Sequence, residues 1–420
     1  MNLSGNSLGI GDRFAQEAEA QLVALMKARD AGIDITPVWN KSFREHEIIK
    51  SHPSETREKA DLAVQKQGWT SPYFVDADHI NLKTVDFFLD HADFFTLDVA
   101  DYIDQPASRE DVSVFLRDMQ DFLGELTIPG IGKSFLIDRD FLENIAARYL
   151  KASLEANRIF AYIANRKGRG NFITEVSMDE VETPQKPLDI FFILGLLKEI
   201  PVQTIAPKFI GQFYKGIDYV GDVSQFEIHF EETLLVLDHA KKQFNLPKEL
   251  KLSIHSGSDK FSLYPVIRKL SAKHNQGIHL KTAGTTWLEE VIGLALAGGE
   301  ALDTVKTIYR KSWERRSELC KPYQSVIDID PLSLPYPQTV KKWNSEKFAN
   351  SLRHIPDHPD FNPHIRQLIH VGYKVAAEMG TQFVEAIKKN HILISQQVIQ
   401  NLYERHIIPL FFKNQRNDSK

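Results

Sequence analysis

The sequence predicts an α/β chain folded as a (β/α)8 TIM-type barrel, with a long helical insertion and a C-terminal helical extension. Three observations predict it. Short apolar runs ending in polar residues alternate with amphipathic helical stretches, the signature of βα units on a parallel sheet. Eight such runs can be counted, whereas an open doubly wound sheet more often has five or six strands. Three of the runs end in a histidine and a fourth carries a glutamate, and strand ends gathered on one face are where such barrels keep their chemistry.

The elements follow in order. Strands are expected at 7–12, 35–40, 73–78 and 94–99, with helices at 14–30, 55–67 and 82–91. The insertion at 100–170 then reads as helix, from REDVSVFLRDMQDFLGEL through a PGIG turn to RDFLENIAARYLKASLEANRIFAYIANRKGRG. Its Gly-rich basic end is a helix stop. An insertion of this size beside a catalytic face often becomes a lid or a subunit contact. Four further strands, 172–177, 204–209, 251–255 and 278–282, alternate with helices at 187–199, 223–245, 260–274 and 285–296. The apolar run IFFILGLL (190–197) is far too short to span a bilayer and reads as a buried helix. After 297 the strand signal stops. The barrel is therefore assigned to 1–300 and a helical extension packed on it to 301–420, with Pro-rich connectors at 327–338 and 354–364.

Composition narrows the function. The chain has 420 residues, 42% apolar and 25% charged, which is ordinary for a globular protein. A net charge of −5 with scattered Lys and Arg provides no field for nucleic acid or an anionic membrane. One cysteine, Cys320, excludes an internal disulfide and fits a reducing cytoplasm, and the N-terminus lacks the pattern of a secretory signal. No G-x-G-x-x-G opens a helix after a strand with an acid at the usual distance, so NAD is not expected; P-loop and G-x-S-x-G patterns are absent as well.

The candidate chemistry lies at the strand ends. DADH (76–79) supplies Asp78 as a general base and His79 as a metal ligand. In a regular strand Asp76 and Asp78 face one way and His79 the other, but a turning strand end can bring Asp78 and His79 to one cavity. The plainer alternative is a helix-capping aspartate beside a surface histidine. EVSMDE (175–180) places Glu175 deepest. A buried carboxyl there would have a raised pKa and act as proton donor, or serve as a fourth metal ligand. HSGSDK (255–260) and HLKTAGT (279–285) repeat one design, a strand-end His followed by small residues at a helix N-terminus, a natural place for an anion or a sugar hydroxyl. They supply His255 and His279 as ligands, with Ser256, Lys260 and Lys281 toward substrate. Imidazoles with carboxylates suit zinc first, then manganese, nickel or cobalt. Asp12, Arg13, Lys208, Lys215, Asp218, Tyr219 and Arg366 are the remaining candidates for substrate contact, and Arg suits bidentate carboxylate recognition.

These segments resemble the tagaturonate epimerases of hexuronate catabolism. The matching residues are GDR (11–13), DADH (76–79), EVSMDE-x-ETP (175–184), FIG-x3-KGIDY-x-GD-x2-QFE (209–227), HSGSDKFS-x-YP (255–265), H-x-KTAGT (279–285) and IRQLIHV-x-Y (365–373). They run in order over nearly the whole chain. The resemblance implies an isomerase that interconverts D-tagaturonate and D-fructuronate at carbon 4. It implies a divalent metal on His79, His255 and His279, with Asp78 and Glu175 as the acid–base pair. The chain departs from the family pattern at Lys208, where arginine is expected, and at Gln212, where an acid is expected.

Carbon 4 of a 2-keto acid is β to the carbonyl, so its C–H is not acidic and simple proton abstraction cannot invert it. A retro-aldol route fits instead. A base takes the carbon-4 hydroxyl proton, the bond between carbons 3 and 4 breaks, and the aldehyde turns its other face before the bond re-forms. Two proton-transfer groups on opposite sides are needed. The expected partner is a small sugar acid, with neither nucleic acid nor membrane, and a homo-oligomer is compatible with the composition. The competing readings are a metal-dependent ketose or ketose-phosphate aldolase of the tagatose-bisphosphate type, and a non-catalytic accessory barrel subunit.

Overall fold

The computed structural model describes residues 1–3, 5–282 and 284–412. Ala283 of the KTAGT segment and the end of the expected extension, 413–420, lie outside the described residues.

The described residues form ten strands: β1 (Asn6–Gly11), β2 (Ile35–Ser42), β3 (Phe74–Ile80), β4 (Phe94–Asp98), β5 (Gly124–Thr127), β6 (Ser134–Ile137), β7 (Ile173–Ser177), β8 (Thr204–Ala206), β9 (Lys251–Ile254) and β10 (Ile278–Lys281). Eight of them close a barrel in the order β1-β10-β9-β8-β7-β4-β3-β2, every pair parallel. This is the expected TIM-type barrel, and each barrel strand overlaps its expected position. The strands are buried on both faces, as parallel strands under a helical ring must be. Leu3 fills the base of the barrel against Val38, Phe74, Phe94 and Ile173.

Local chemistry sets the helices. Pro53–Gln67 starts with proline in its first turn and stops at Gly68, whose φ of +62° ends the helix in the left-handed region. Val223–Gln243 is capped by Asp222, which accepts from the amides of Ser224 and Gln225. The IFFILGLL run forms most of a helix, Pro187–Leu196, buried nearly throughout.

Two expectations are corrected. The helix expected at 82–91 is only a 3-10 turn, Val85–Phe87, while a short helix, Phe43–Ile49, follows β2 directly. Ser42 and Glu45 form its capping box. The insertion is not all helix, because the PGIG turn joins β5 and β6 into an antiparallel hairpin. That hairpin lies against helix Val223–Gln243, where Lys133 pairs with Glu232 at 3.1 Å. The insertion's last helix, Lys151–Lys167, packs on β4 and buries Ala156, Ile159, Phe160 and Ile163. It serves as the barrel helix between β4 and β7.

Beyond residue 297 the described chain is helical and builds a second apolar core. Trp287, Leu288 and Ile292 of helix Thr285–Ala297 meet Phe348, Leu368, Phe383 and Ile394 there. Cys320 is half-buried. Among the described residues no helix is long and apolar enough to cross a membrane.

Candidate active site

The C-terminal ends of the barrel strands open into a cleft of about 520 Å³, with His255, Ser256, Asp179, Lys208 and Lys215 in its lining. One wall comes from the C-terminal segment, residues 322–326, held to the barrel loop by a hydrogen bond from the Lys215 amide to the Val326 carbonyl, 2.8 Å.

The end of β3 turns as the sequence requires. Its register shifts between Ala77 and Ile80, and His79 has φ +52°, in the left-handed region that non-glycine residues seldom occupy. The bulge lets His79 swing toward the cavity that Asp78 faces. The two imidazoles His79 and His255 stand edge to face, with ring centroids 5.0 Å apart. His79 Nδ1 lies 3.4 Å from Asp98 Oδ2. His255 sits between two carboxylates, Nε2 at 2.7 Å from Glu175 and Nδ1 at 3.0 Å from Asp179. Burial opposes charge on His255, but Asp179 and Glu175 outweigh it and raise the pKa to about 9.

Beneath them lies Lys281. Its ammonium donates to Asp78 (2.7 Å), Asp76 (2.8 Å) and Thr96 (2.7 Å) and lies 2.9 Å from Glu175. All four side chains around it are buried. Burial would raise Asp78 and Glu175, but Lys281, with the histidines beside them, holds both below the ordinary carboxylate range. The expected raised pKa at Glu175 is therefore corrected. Asp76 is the carboxyl of this group that burial pushes up, despite Lys281.

His279 lies two residues before Lys281 on β10, paired in register with Ser7. Its Nδ1 is 2.8 Å from Ser7 Oγ, while its buried Nε2 has no hydrogen-bond partner among the described residues. Burial lowers its pKa to about 3, which keeps the ring neutral. Among the described residues one group of metal-type donors comes within a single coordination sphere: His79, Asp179 and His255, one ligand atom each, all within 4.8 Å. Two imidazoles and a carboxylate suit zinc or manganese. A neutral imidazole whose Nδ1 is held and whose Nε2 is unpartnered suits a metal as well. The donor set therefore fits a divalent ion. His279 is not within the group of three.

The substrate candidates divide. Lys208, Lys215 and Ser256 line the cleft, and Lys281 stands at the carboxylates. The others are engaged by the protein itself. Asp12 accepts from the Glu17 amide at the start of the first helix. Arg13 pairs with Glu45 at 2.9 Å, donates to the His370 carbonyl and lies over the Tyr373 ring. Asp218 receives the Ser262 amide and hydroxyl, and Tyr219 donates to the Ile210 carbonyl. Lys260 donates to the carbonyls of Tyr214, Ile217 and Ser258. Arg366 bonds Asp259 at 2.7 Å and the carbonyls of Gly216 and Leu352. These residues hold the loops that form the cleft.

Sequence reasoning missed Asp76, Asp98, Thr96, Asp179 and Arg44 as members of this site. Asp179 was visible in EVSMDE and Asp76 in DADH, both beside residues already chosen. Arg44 lines the cleft just beyond β2, 5.9 Å from the Tyr323 ring centroid and without an ion-paired carboxylate among the described residues.

The chain is similar over almost its whole length to proteins already known. A family model described as tagaturonate epimerase matches residues 1–408. A curated tagaturonate/fructuronate epimerase of Thermotoga maritima is 27% identical over 96% of this chain and 80% of its own length. Crystal structures of the fructuronate-tagaturonate epimerase of Cohnella laeviribosi, native and glycerol-bound, superpose with a TM-score of 0.79 at 23% identity, over 98% of this chain and 82% of theirs. At that identity the structural likeness concerns the fold.

Proposed function

The chain belongs to the tagaturonate epimerase family, and we propose that it interconverts D-tagaturonate and D-fructuronate by inverting carbon 4 through retro-aldol cleavage. The observation that carries this reading is the pair Asp78 and Glu175, two buried carboxylates that share the Lys281 ammonium beside a cluster of imidazoles. Asp78, kept ionised by Lys281, takes the proton of the carbon-4 hydroxyl. That oxygen becomes a carbonyl as the bond between carbons 3 and 4 breaks, and the electron pair moves to carbon 3 and the neighbouring keto group. The aldehyde turns within the cleft. When the bond re-forms on the other face, the new alkoxide takes a proton that the Lys281 ammonium passes through Glu175, 2.9 Å away, and Asp78 returns the proton it took to Lys281 across 2.7 Å.

We further propose that His79, His255 and Asp179 hold a divalent cation, with zinc favoured, and that the unpartnered Nε2 of His279 completes the set. When bound, such an ion supplies Lewis-acid polarisation of the keto group. Arg44, Lys208 and Lys215 on the cleft wall are the cations that face the substrate carboxylate. A cytoplasmic location suits a chain with one half-buried thiol.

The test is a substrate labelled with deuterium on carbon 4. The expected product is the epimer with its label retained, because this C–H bond survives retro-aldol cleavage. Loss of label to water contradicts the route, and release of three-carbon fragments as the main products makes the protein an aldolase. Chelation followed by metal restoration should abolish and then recover the activity; full activity after complete metal removal refutes the metal site.

A further inference from the structure

Asp76 belongs to the buried group around the Lys281 ammonium. It is 2% exposed, and its hydrogen-bond partners among the described residues are the Thr96 hydroxyl, at 2.9 and 3.0 Å, and the Lys281 ammonium, at 2.8 Å. Thr96 also accepts from Lys281 at 2.7 Å, so the two side chains hold one ammonium. The same ammonium meets Asp78 at 2.7 Å and Glu175 at 2.9 Å. The lysine stem is confined too. A methyl group on Gly9 would stand 2.7 Å from Lys281 Cγ, which places the β1 backbone directly against the stem. An unrestrained lysine would swing on its four-carbon stem to whichever carboxylate bound it better. Asp78 and Glu175 would then lose the donor that bridges them.

We propose that Asp76, assisted by Thr96, is a positioning residue. It holds the Lys281 ammonium where it reaches both Asp78 and Glu175, and so sets the spacing of the two proton-transfer groups. The inference rests on the acid–base reading of Asp78 and Glu175. Displacing a reacting group by about 1 Å costs on the order of a hundredfold in rate. The isosteric variant Asp76→Asn keeps the shape and removes the charge that anchors Lys281.

The test is a double-mutant cycle of Asp76→Asn and Lys281→Met in the metal-loaded enzyme. Asp76→Asn alone is expected to lower kcat by about ten- to a hundredfold, with KM within about threefold and metal content unchanged. In the Lys281→Met background it should lower kcat by less than about threefold more, because residues that act through one another are not additive. Independent, multiplying effects overturn the proposal, as does a kcat for Asp76→Asn within about twofold of the parent. If Asp76→Asn does not fold, Thr96→Val takes its place in the cycle with the same expectations. A parent enzyme inactive on both uronates refutes the functional reading instead. Crystal structures separate the two failures: if Lys281 in Asp76→Asn still touches both Asp78 and Glu175, the inference falls whatever the substrate.

Discussion

Replacing Glu175 by Gln removes one charge from the floor of the cleft and changes almost no volume. The surroundings can accept it. Glu175 Oε1 receives His255 at 2.7 Å and lies 2.9 Å from the Lys281 ammonium, and the amide oxygen of Gln can serve both. Oε2 faces the Thr204 hydroxyl at 2.7 Å, and that hydroxyl can turn to accept from the new NH2 group. Lys281 keeps Asp76 and Asp78 as counter-charges. Exchanging charge-assisted hydrogen bonds for neutral ones should cost about 1–3 kcal/mol of stability, so the variant should fold. Its catalytic loss should be larger. Removing a general acid–base group lowers turnover by about two to four orders of magnitude, about 3–5 kcal/mol on the barrier. Initial rates of uronate interconversion followed by NMR, with metal content measured on the same preparation, check both numbers. A rate within tenfold of the parent refutes the proton-transfer role. Loss of the metal together with activity would instead make Glu175 a ligand.

Two further outcomes are expected. Arg44→Met should raise KM for the uronates by about tenfold or more while leaving the rate on the matching neutral ketoses unchanged, since a charge-assisted contact is worth about 1.5–3 kcal/mol; equal losses on both substrate classes would remove Arg44 from carboxylate recognition. Glu17 is a buried carboxyl that burial and Asp12 push up to about 8, against 4.5 for the free group. The folded chain therefore keeps a proton that the unfolded chain releases, so this contribution is fully present below about pH 4.5 and is lost as pH rises toward 8. Melting temperature between pH 5 and 8 should consequently fall less steeply in Glu17→Gln than in the parent, and parallel slopes would show that Glu17 is ionised in the fold.

The positions of Asp78, His79, Glu175, His255 and Lys281 at strand ends were legible because strand periodicity and barrel closure are local and topological facts. A strand that runs from apolar to polar residues and feeds a helix has a defined mouth end, and in a closed parallel barrel all the mouth ends meet. The surroundings of Arg13, Lys260 and Arg366 were not legible, for a related reason. Their charge marks them as functional, but only the packed loops show that the acceptors they find are Glu45, Asp259 and backbone carbonyls. Burial without such partners would be costly, so the fold provides them.

By itself the sequence determined the eight-stranded barrel, the helical character of the C-terminal part, and which strand ends carry imidazole and carboxylate. Each of these follows from the order of apolar and polar residues along short segments. Tertiary structure decided the rest. The bulge at Ala77–Ile80 aims His79, the shared ammonium of Lys281 lowers Glu175 where burial alone would raise it, and barrel closure brings Asp179 of the β7 loop to His255 after β9. These outcomes depend on distances between groups some 80 to 200 residues apart in the chain, such as Asp179 with His255 and Asp78 with Lys281. Coulomb energy and desolvation both vary with those distances and with the dielectric around them, and neither exists until the barrel has closed.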